Sequence, residues 1–153
     1  MSILLNENSL FLHIPKTGGS WVAKCLGEQN LIKTRHIGSK HADLERVTNF
    51  CRHYPYLYFR KIIRNGFKFC FVRHPYSWIK SYYRYHKSRD WPRWHGLSKQ
   101  WRRYGNTDWH PNKPLYNLDH STFNDFLHDV IKKRPGYVYE MYSWYTGPGV
   151  DFV

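Results

Sequence analysis

The chain has 153 residues and a formal net charge of +13, enough length for one packed domain and too little for two ordinary ones. With 41% hydrophobic and 19% aromatic residues, the composition excludes a disordered chain, and a balance this basic points to a polyanionic partner: nucleic acid, membrane headgroups, a phosphorylated cofactor, or an acidic or sulfated polymer. Cys25, Cys51 and Cys70 are widely spaced and form no CxxC pair, which argues against a disulfide framework or a zinc knuckle and fits a reducing compartment.

From the N-terminus, residues 1–12 show neither a basic n-region nor a cleavage pattern, and no apolar run approaches the roughly 20 residues of a membrane helix. A soluble, unprocessed, cytoplasmic chain is expected. Residues 9–14, SLFLHI, read as a buried strand, and Gly18, Gly19 and Ser20 then open a helix whose inward face carries Trp21, Val22, Cys25 and Leu26. A second helix is predicted from about Asp43, with Leu44, Val47, Phe50 and Cys51 inward and Pro55 closing it. Residues 56–65 are ambiguous between states. FKFCFVR, residues 67–73, reads as a second core strand ending at Arg73. Pro75 suits the first turn of the next helix, which carries Tyr76, Ile79, Tyr82, Tyr83 and His86.

Residues 87–120 lose periodicity and become a long basic and aromatic insertion, of the length a compact domain retains for function or leaves disordered. Thr122 with Asp125 three residues later is a capping-box-like pair, and Phe123, Phe126, Leu127, Val130 and Ile131 mark one face of the helix it opens. A Gly-Pro-Gly turn and a strand-like VDFV close the chain. Residues 1–153 are therefore expected to form a single domain, with strands feeding helices around a short parallel sheet.

At both strand-to-helix junctions a cation stands beside a helix N-terminus. In HIPKTGGSW, the amides of a helix start, two glycines and the hydroxyls of Thr17 and Ser20 suit an anion. The order is not that of a Walker A loop, because Lys16 precedes Gly18 and Gly19. In FCFVRHPYSWIKSYY, Arg73 and Ser81, eight residues apart, suit a phosphate that the guanidinium would hold as a fork.

Together these two segments resemble the nucleotide motifs of the sulfotransferase superfamily, which uses 3′-phosphoadenosine 5′-phosphosulfate (PAPS). The closest pattern is that of the carbohydrate-type members, with IPKTGG and FVRHPY. The resemblance implies an α/β, three-layer, P-loop-like fold with a short central parallel sheet. It implies a 5′-phosphosulfate loop made of Lys16, Thr17, Gly18, Gly19 and Ser20, and a 3′-phosphate site made of Arg73 and Ser81. Trp21 resembles the tryptophan that follows this loop in cytosolic sulfotransferases and stacks on adenine, though it reads equally as a core residue. Members usually continue beyond a VDFV-like strand, whereas this sequence ends at Val153, so a short or C-terminally truncated version is expected.

The implied reaction is in-line sulfuryl transfer from PAPS to an acceptor hydroxyl, on a carbohydrate, without a metal. Lys16 would stabilise charge at the leaving oxygen. His41, in SKHADLERV, resembles a histidine of small sulfotransferases between the two motifs and is the candidate general base, with His36 and Glu45 as competitors. His13 reads as a residue that packs or hydrogen-bonds in its strand, and for His74, which stands beside the 3′-phosphate residues where a positive ring would help binding rather than catalysis, a structural role is likewise favoured. In the insertion, Trp91, Trp94 and Arg102 are the candidate acceptor contacts, flat rings for sugars and a cation for their acidic groups. A single-stranded nucleic-acid-binding module is the alternative, since KSRDWPRWH and KQWRRYGNTDW interleave cations and aromatics. That alternative explains the charge but leaves the paired motifs unexplained. A kinase-like enzyme fits less well, because the Walker order is absent and no acidic magnesium ligand follows a strand.

Overall fold

The structure is a computed structural model that describes residues 2–6, 8–35, 37, 39–53, 57–88, 111–118 and 121–153. The chain divides into two compact units, one made of Met1–Val72 with Tyr142–Val153 and the other of Arg73–Met141.

In the first unit, four strands, β1 (Ile3–Leu5), β2 (Ser9–Leu12), β3 (Ile32–Arg35) and β4 (Phe67–Cys70), form a sheet in the order β3-β1-β2-β4. β2 and β4 are parallel, registered from Ser9 opposite Phe67 to Leu12 opposite Cys70. β1, however, is antiparallel to both of its neighbours. The expected parallel sheet is therefore a mixed one. The reason is local: β1 and β2 are joined by a turn of three residues, which suffices for an antiparallel hairpin but not for a parallel crossover. Asn8 takes a left-handed conformation in that turn, at φ 58°, which asparagine adopts more readily than most residues.

Three helices belong wholly to this unit: α1 (Gly19–Glu28), α2 (Leu44–His53) and α3 (Leu57–Asn65), the last filling the stretch that the sequence left ambiguous. Ala23 of α1 clusters with Ile3, Leu5 and Phe11 of the sheet, and Val22, Leu26, Ile32 and Phe69 pack against that cluster. Leu4, Leu10 and Leu12, which alternate with those strand residues, are also fully buried. Both faces of β1 and β2 are thus shielded from water, and each large apolar side chain so buried contributes about 1.5–3 kcal/mol. α2 begins where expected because the Asp43 carboxylate accepts a hydrogen bond from the Arg46 amide at 2.8 Å.

β4 stops at Cys70, three residues short of the expected end, and Phe71, Val72 and Arg73 are exposed. Beside it runs the C-terminal VDFV segment, as a single parallel bridge between Phe69 and Phe152. The Asp151 and Phe152 amides donate to the Lys68 carbonyl at 2.7 and 3.2 Å, and the Cys70 amide donates to that of Phe152 at 3.1 Å. The Asp151 carboxylate accepts from the Lys68 amide at 2.7 Å.

The second unit holds α4 (Pro75–Lys87), a 3₁₀ turn (Lys113–Leu115), α5 (Phe123–Lys133) and the first half of α6 (Tyr137–Thr146). Its core is aromatic. Trp78 stacks on Tyr82 at a ring separation of 5.3 Å, Tyr82 on Phe126 at 5.9 Å, and Tyr137 lies 6.1 Å from Trp78. Pro111, Asn112, Leu115 and Leu118 are buried, and the Tyr137 hydroxyl donates to the Pro111 carbonyl. Residues 111–118 of the basic insertion thus contribute to the core; its residues 89–110, 119 and 120 lie outside the described residues. Tyr76 of α4 and Ile131, counted with the apolar face of α5, are exposed. Among the described residues, no helix is long and apolar enough to cross a membrane.

α5 opens as its sequence predicts. Thr122 Oγ1 accepts from the Asp125 amide at 3.1 Å and donates to the Asp125 carboxylate at 2.6 Å. Thr122→Ala should lower the melting temperature by about 2–4 °C, the equivalent of about 1 kcal/mol for a lost cap, whereas Thr122→Ser should melt with the wild type. Thermal melts followed by circular dichroism compare the three.

Candidate functional site

β2 delivers the chain at Leu12 into a turn that α1 closes, and the residues between are held individually. Thr17 Oγ1 donates to the Ile14 carbonyl at 3.0 Å, drawing the turn back onto its own strand. Lys16 stands in the left-handed region at φ 67°. For a lysine this costs about 1–2 kcal/mol, and such strain persists only where the surroundings enforce it. Among the described residues the other non-glycine positions with positive φ are Asn8 and Asn30, of a type that tolerates it; Lys16 is not.

Gly18 follows at φ 90° as the N-cap, and its carbonyl accepts from the Trp21 and Val22 amides at 2.9 and 3.2 Å. α1 has no side-chain cap and no acidic residue in its first turn. The amides of Gly19 and Ser20 are therefore those that a helix start leaves without an intrahelical partner, at the positive end of the helix dipole. A Cβ at Gly18 would have no atom within 4 Å, so space is open there for a bound group. This combination suits a phosphate- or sulfate-class anion.

Gly19 is constrained from the other side. A Cβ there would lie 2.0 Å from His13 Cδ2 and 2.2 Å from Nε2, so the imidazole occupies the space that only glycine leaves. His13 is buried, and its pKa is lowered to about 4, chiefly by that burial and further by the Lys40 cation. Its ring lies 4.7 Å from that of His41, whose Nδ1 is 3.1 Å from the His13 carbonyl oxygen. The Tyr145 hydroxyl, from the far end of the chain, donates to the His41 carbonyl. Lys16, Thr17, Gly18, Gly19, Ser20 and His41 thus all belong to one compact unit. Trp21, at 71% exposure, is not the core residue that it could equally have been.

Arg73 and Ser81 belong to the other unit. Arg73 is exposed, and α4 begins after it with His74 as N-cap and Pro75 at its first position, again with no side-chain cap and no acid in the first turn. Ser81 is half-buried, and Ser77 precedes it by four residues, on the same side of the helix. Trp78, Ile79, Tyr82 and His86 form the buried face. His36, Trp91, Trp94 and Arg102 lie outside the described residues. Glu45 sits with Asn49, Arg52 and Trp144 on an open groove of about 390 Å³ that contains none of the motif residues.

A profile of the sulfotransferase family matches residues 5–145, nearly the whole chain and both junctions. The chain belongs to the sulfotransferase family. Comparison with curated proteins and with solved structures gave no match. Within this sulfotransferase, His13 packs as its place at the strand end suggested, but what sequence reasoning missed is its partner, since it is His13 that demands glycine at position 19; the HIPKTGG spacing could have suggested it, because the end of a strand and the start of the helix it feeds must lie close. Tyr145, which holds the His41 carbonyl, carried no such signal, lying 104 residues from its partner.

Two outcomes follow for this loop. Gly19→Ala must displace a buried imidazole and should abolish anion binding at the loop and destabilise the fold by about 1–3 kcal/mol, whereas Gly18→Ala, which meets no atom, should cost only about 1 kcal/mol of backbone strain; urea unfolding ranks them. The unfolded chain titrates His13 near 6.5 and the folded chain only near 4, so between those values the unfolded state binds the extra proton. His13 therefore contributes full stability above about pH 6.5 and loses it as the pH falls towards 4. Wild type should lose about 2–3 kcal/mol more than His13→Gln over that window, measured by unfolding at pH 7 and pH 4.5.

Proposed function

We propose that this sulfotransferase moves a sulfuryl group from PAPS to an acceptor hydroxyl on a carbohydrate. The observation that carries the reading is the Pro15–Ser20 turn: a lysine kept in a strained conformation directly before a helix start that has neither cap nor acid. PAPS supplies an activated sulfuryl group and departs as adenosine 3′,5′-bisphosphate.

Each of this chain's residues then has a stated task. The Gly19 and Ser20 amides, with the Thr17 and Ser20 hydroxyls, hold the phosphosulfate oxygens, and Thr17 accepts with its lone pairs because its proton is engaged by Ile14. Lys16 brings a cation to the oxygen on which charge develops, a contribution of about 10²- to 10³-fold in rate. The exposed indole of Trp21 offers a flat face for adenine. Arg73 and Ser81 hold the 3′-phosphate, the guanidinium as a bidentate donor. His41 takes the proton of the acceptor hydroxyl. Trp91, Trp94 and Arg102 bind the acceptor. The three-layer, P-loop-like form belongs to the same reading and is supported by the parallel β2–β4 pair and by burial on both faces of β1 and β2.

Thermal stabilisation by adenosine 3′,5′-bisphosphate tests the cofactor assignment independently of turnover. At a hundredfold excess over Kd the wild type should melt about 5–10 °C higher. Lys16→Ala and Arg73→Ala should each lose most of that shift, and Lys16→Ala should in addition transfer sulfuryl groups about 10²- to 10³-fold more slowly. A wild type that melts at the same temperature with and without saturating bisphosphate would end the PAPS assignment.

A further inference from the structure

His41 lies in sequence between β3 and α2 and belongs to neither, so no helix or strand ladder fixes its main chain. Three contacts do so instead. The Tyr145 hydroxyl donates to the His41 carbonyl, the Ser2 hydroxyl donates to the next carbonyl, that of Ala42, at 2.8 Å, and the Ala42 amide donates to the Ser39 carbonyl at 3.3 Å. Ser2, Ala42 and Tyr145 are all fully buried. The backbone that carries the imidazole is therefore pinned on two successive carbonyls, from opposite ends of the sequence.

The ring is fixed in turn. Its Nδ1 lies 3.1 Å from the His13 carbonyl oxygen, and a carbonyl can only accept. The nitrogen facing it must carry the hydrogen, so in the neutral ring the lone pair resides on Nε2. His13 itself cannot drift, because its side chain is wedged against the Gly19 backbone and kept uncharged by burial.

We propose that Tyr145 is a positioning residue which, with the His13 carbonyl, holds His41 as the Nδ1–H tautomer and so presents Nε2 as the proton acceptor for the incoming hydroxyl. The inference rests on the assignment of His41 as the base. In the step it serves, the acceptor O–H bond breaks, its proton passes to Nε2, and its electron pair forms the new S–O bond while the sulfuryl group's bond to the phosphate oxygen breaks. The imidazolium so formed keeps its Nδ1–H bond to the His13 carbonyl, which stabilises the added charge.

The tautomer is read directly from ring ¹⁵N–¹H correlation spectra of the wild-type protein under mildly alkaline conditions, without nucleotide or acceptor. Nδ1 should be the protonated nitrogen of His41. In Tyr145→Phe, which keeps the ring and removes only the hydroxyl, the His41 signals should shift towards a tautomer mixture, and kcat should fall about tenfold with the KM for PAPS unchanged. A wild-type His41 protonated on Nε2 overturns the proposal, whether or not the Tyr145 variant folds. So does a Tyr145→Phe enzyme with the wild-type spectrum and the wild-type kcat. His41→Asn separates the two ideas: full activity in that variant removes the base assignment, and with it the catalytic half of the inference, even when the spectrum shows Nδ1 protonated.

Discussion

The contact on which the site depends is the one between the His13 imidazole and the α-carbon of Gly19. It brings the end of β2 and the first residue of α1 so close that a single methyl group in place of a hydrogen would lie 2.0 Å from a ring carbon. Burial disfavours the charged form of this imidazole; the neutral ring is both spacer and filler. With the two ends pressed together, the five residues between them have little freedom. The Thr17 bond to Ile14, the positive φ of Lys16 and the positive φ of Gly18 are the form that a chain of that length takes between two such fixed points.

The same histidine joins this turn to the rest of its unit. Its backbone carbonyl faces His41, its ring lies beside that of His41, and Tyr145 closes the set from the C-terminal segment. That segment is anchored in its own right, through the ladder bonds of Asp151 and Phe152 to β4 and through the Cys70 thiol's contact with the Tyr145 carbonyl at 3.7 Å. A residue near the end of the sequence is thereby given a defined place beside one near its beginning. Buried side chains with satisfied polar atoms, as these have, fix orientation more tightly than apolar packing alone.

How far this was legible in the sequence varies with the range of the forces involved. Short-range signals read well: the Thr122 cap, Pro75 at a first helical position, the Gly18-Gly19-Ser20 helix start and the apolar run of β2 each depend on residues within one turn of one another. β1 and β3 escaped because the three residues of β1 are too few to show a period and the four of β3, IKTR, contain no apolar run, and what stabilises them is pairing with residues up to 32 positions away, Ile3 with Arg35 being the extreme. The strand drawn as far as Arg73 ended at Cys70 because composition alone cannot reveal where a ladder partner stops. At the site, the motif residues were visible as a pattern, but the supports were not: Tyr145 acts through a tertiary contact, and a lone tyrosine in an aromatic-rich tail has no distinguishing neighbours.

Helix starts make the functional argument from a different direction. α2 is capped by the Asp43 carboxylate and α5 by Thr122 and Asp125. α1 and α4 open with neither a capping side chain nor an acidic first turn, and forgoing the capping side chain costs roughly a few tenths of a kcal/mol at Gly18 and about 1 kcal/mol at His74. Those are the two helices that follow Lys16 and Arg73. Had aspartate or serine stood at position 18 or 74 and folded back on the helix, it would have occupied the very amides, and for aspartate cancelled the positive potential, that an incoming anion needs. The absent caps and the neighbouring cations thus recur together at two helix starts within a single chain, the pattern on which the proposed binding of an anion at each rests.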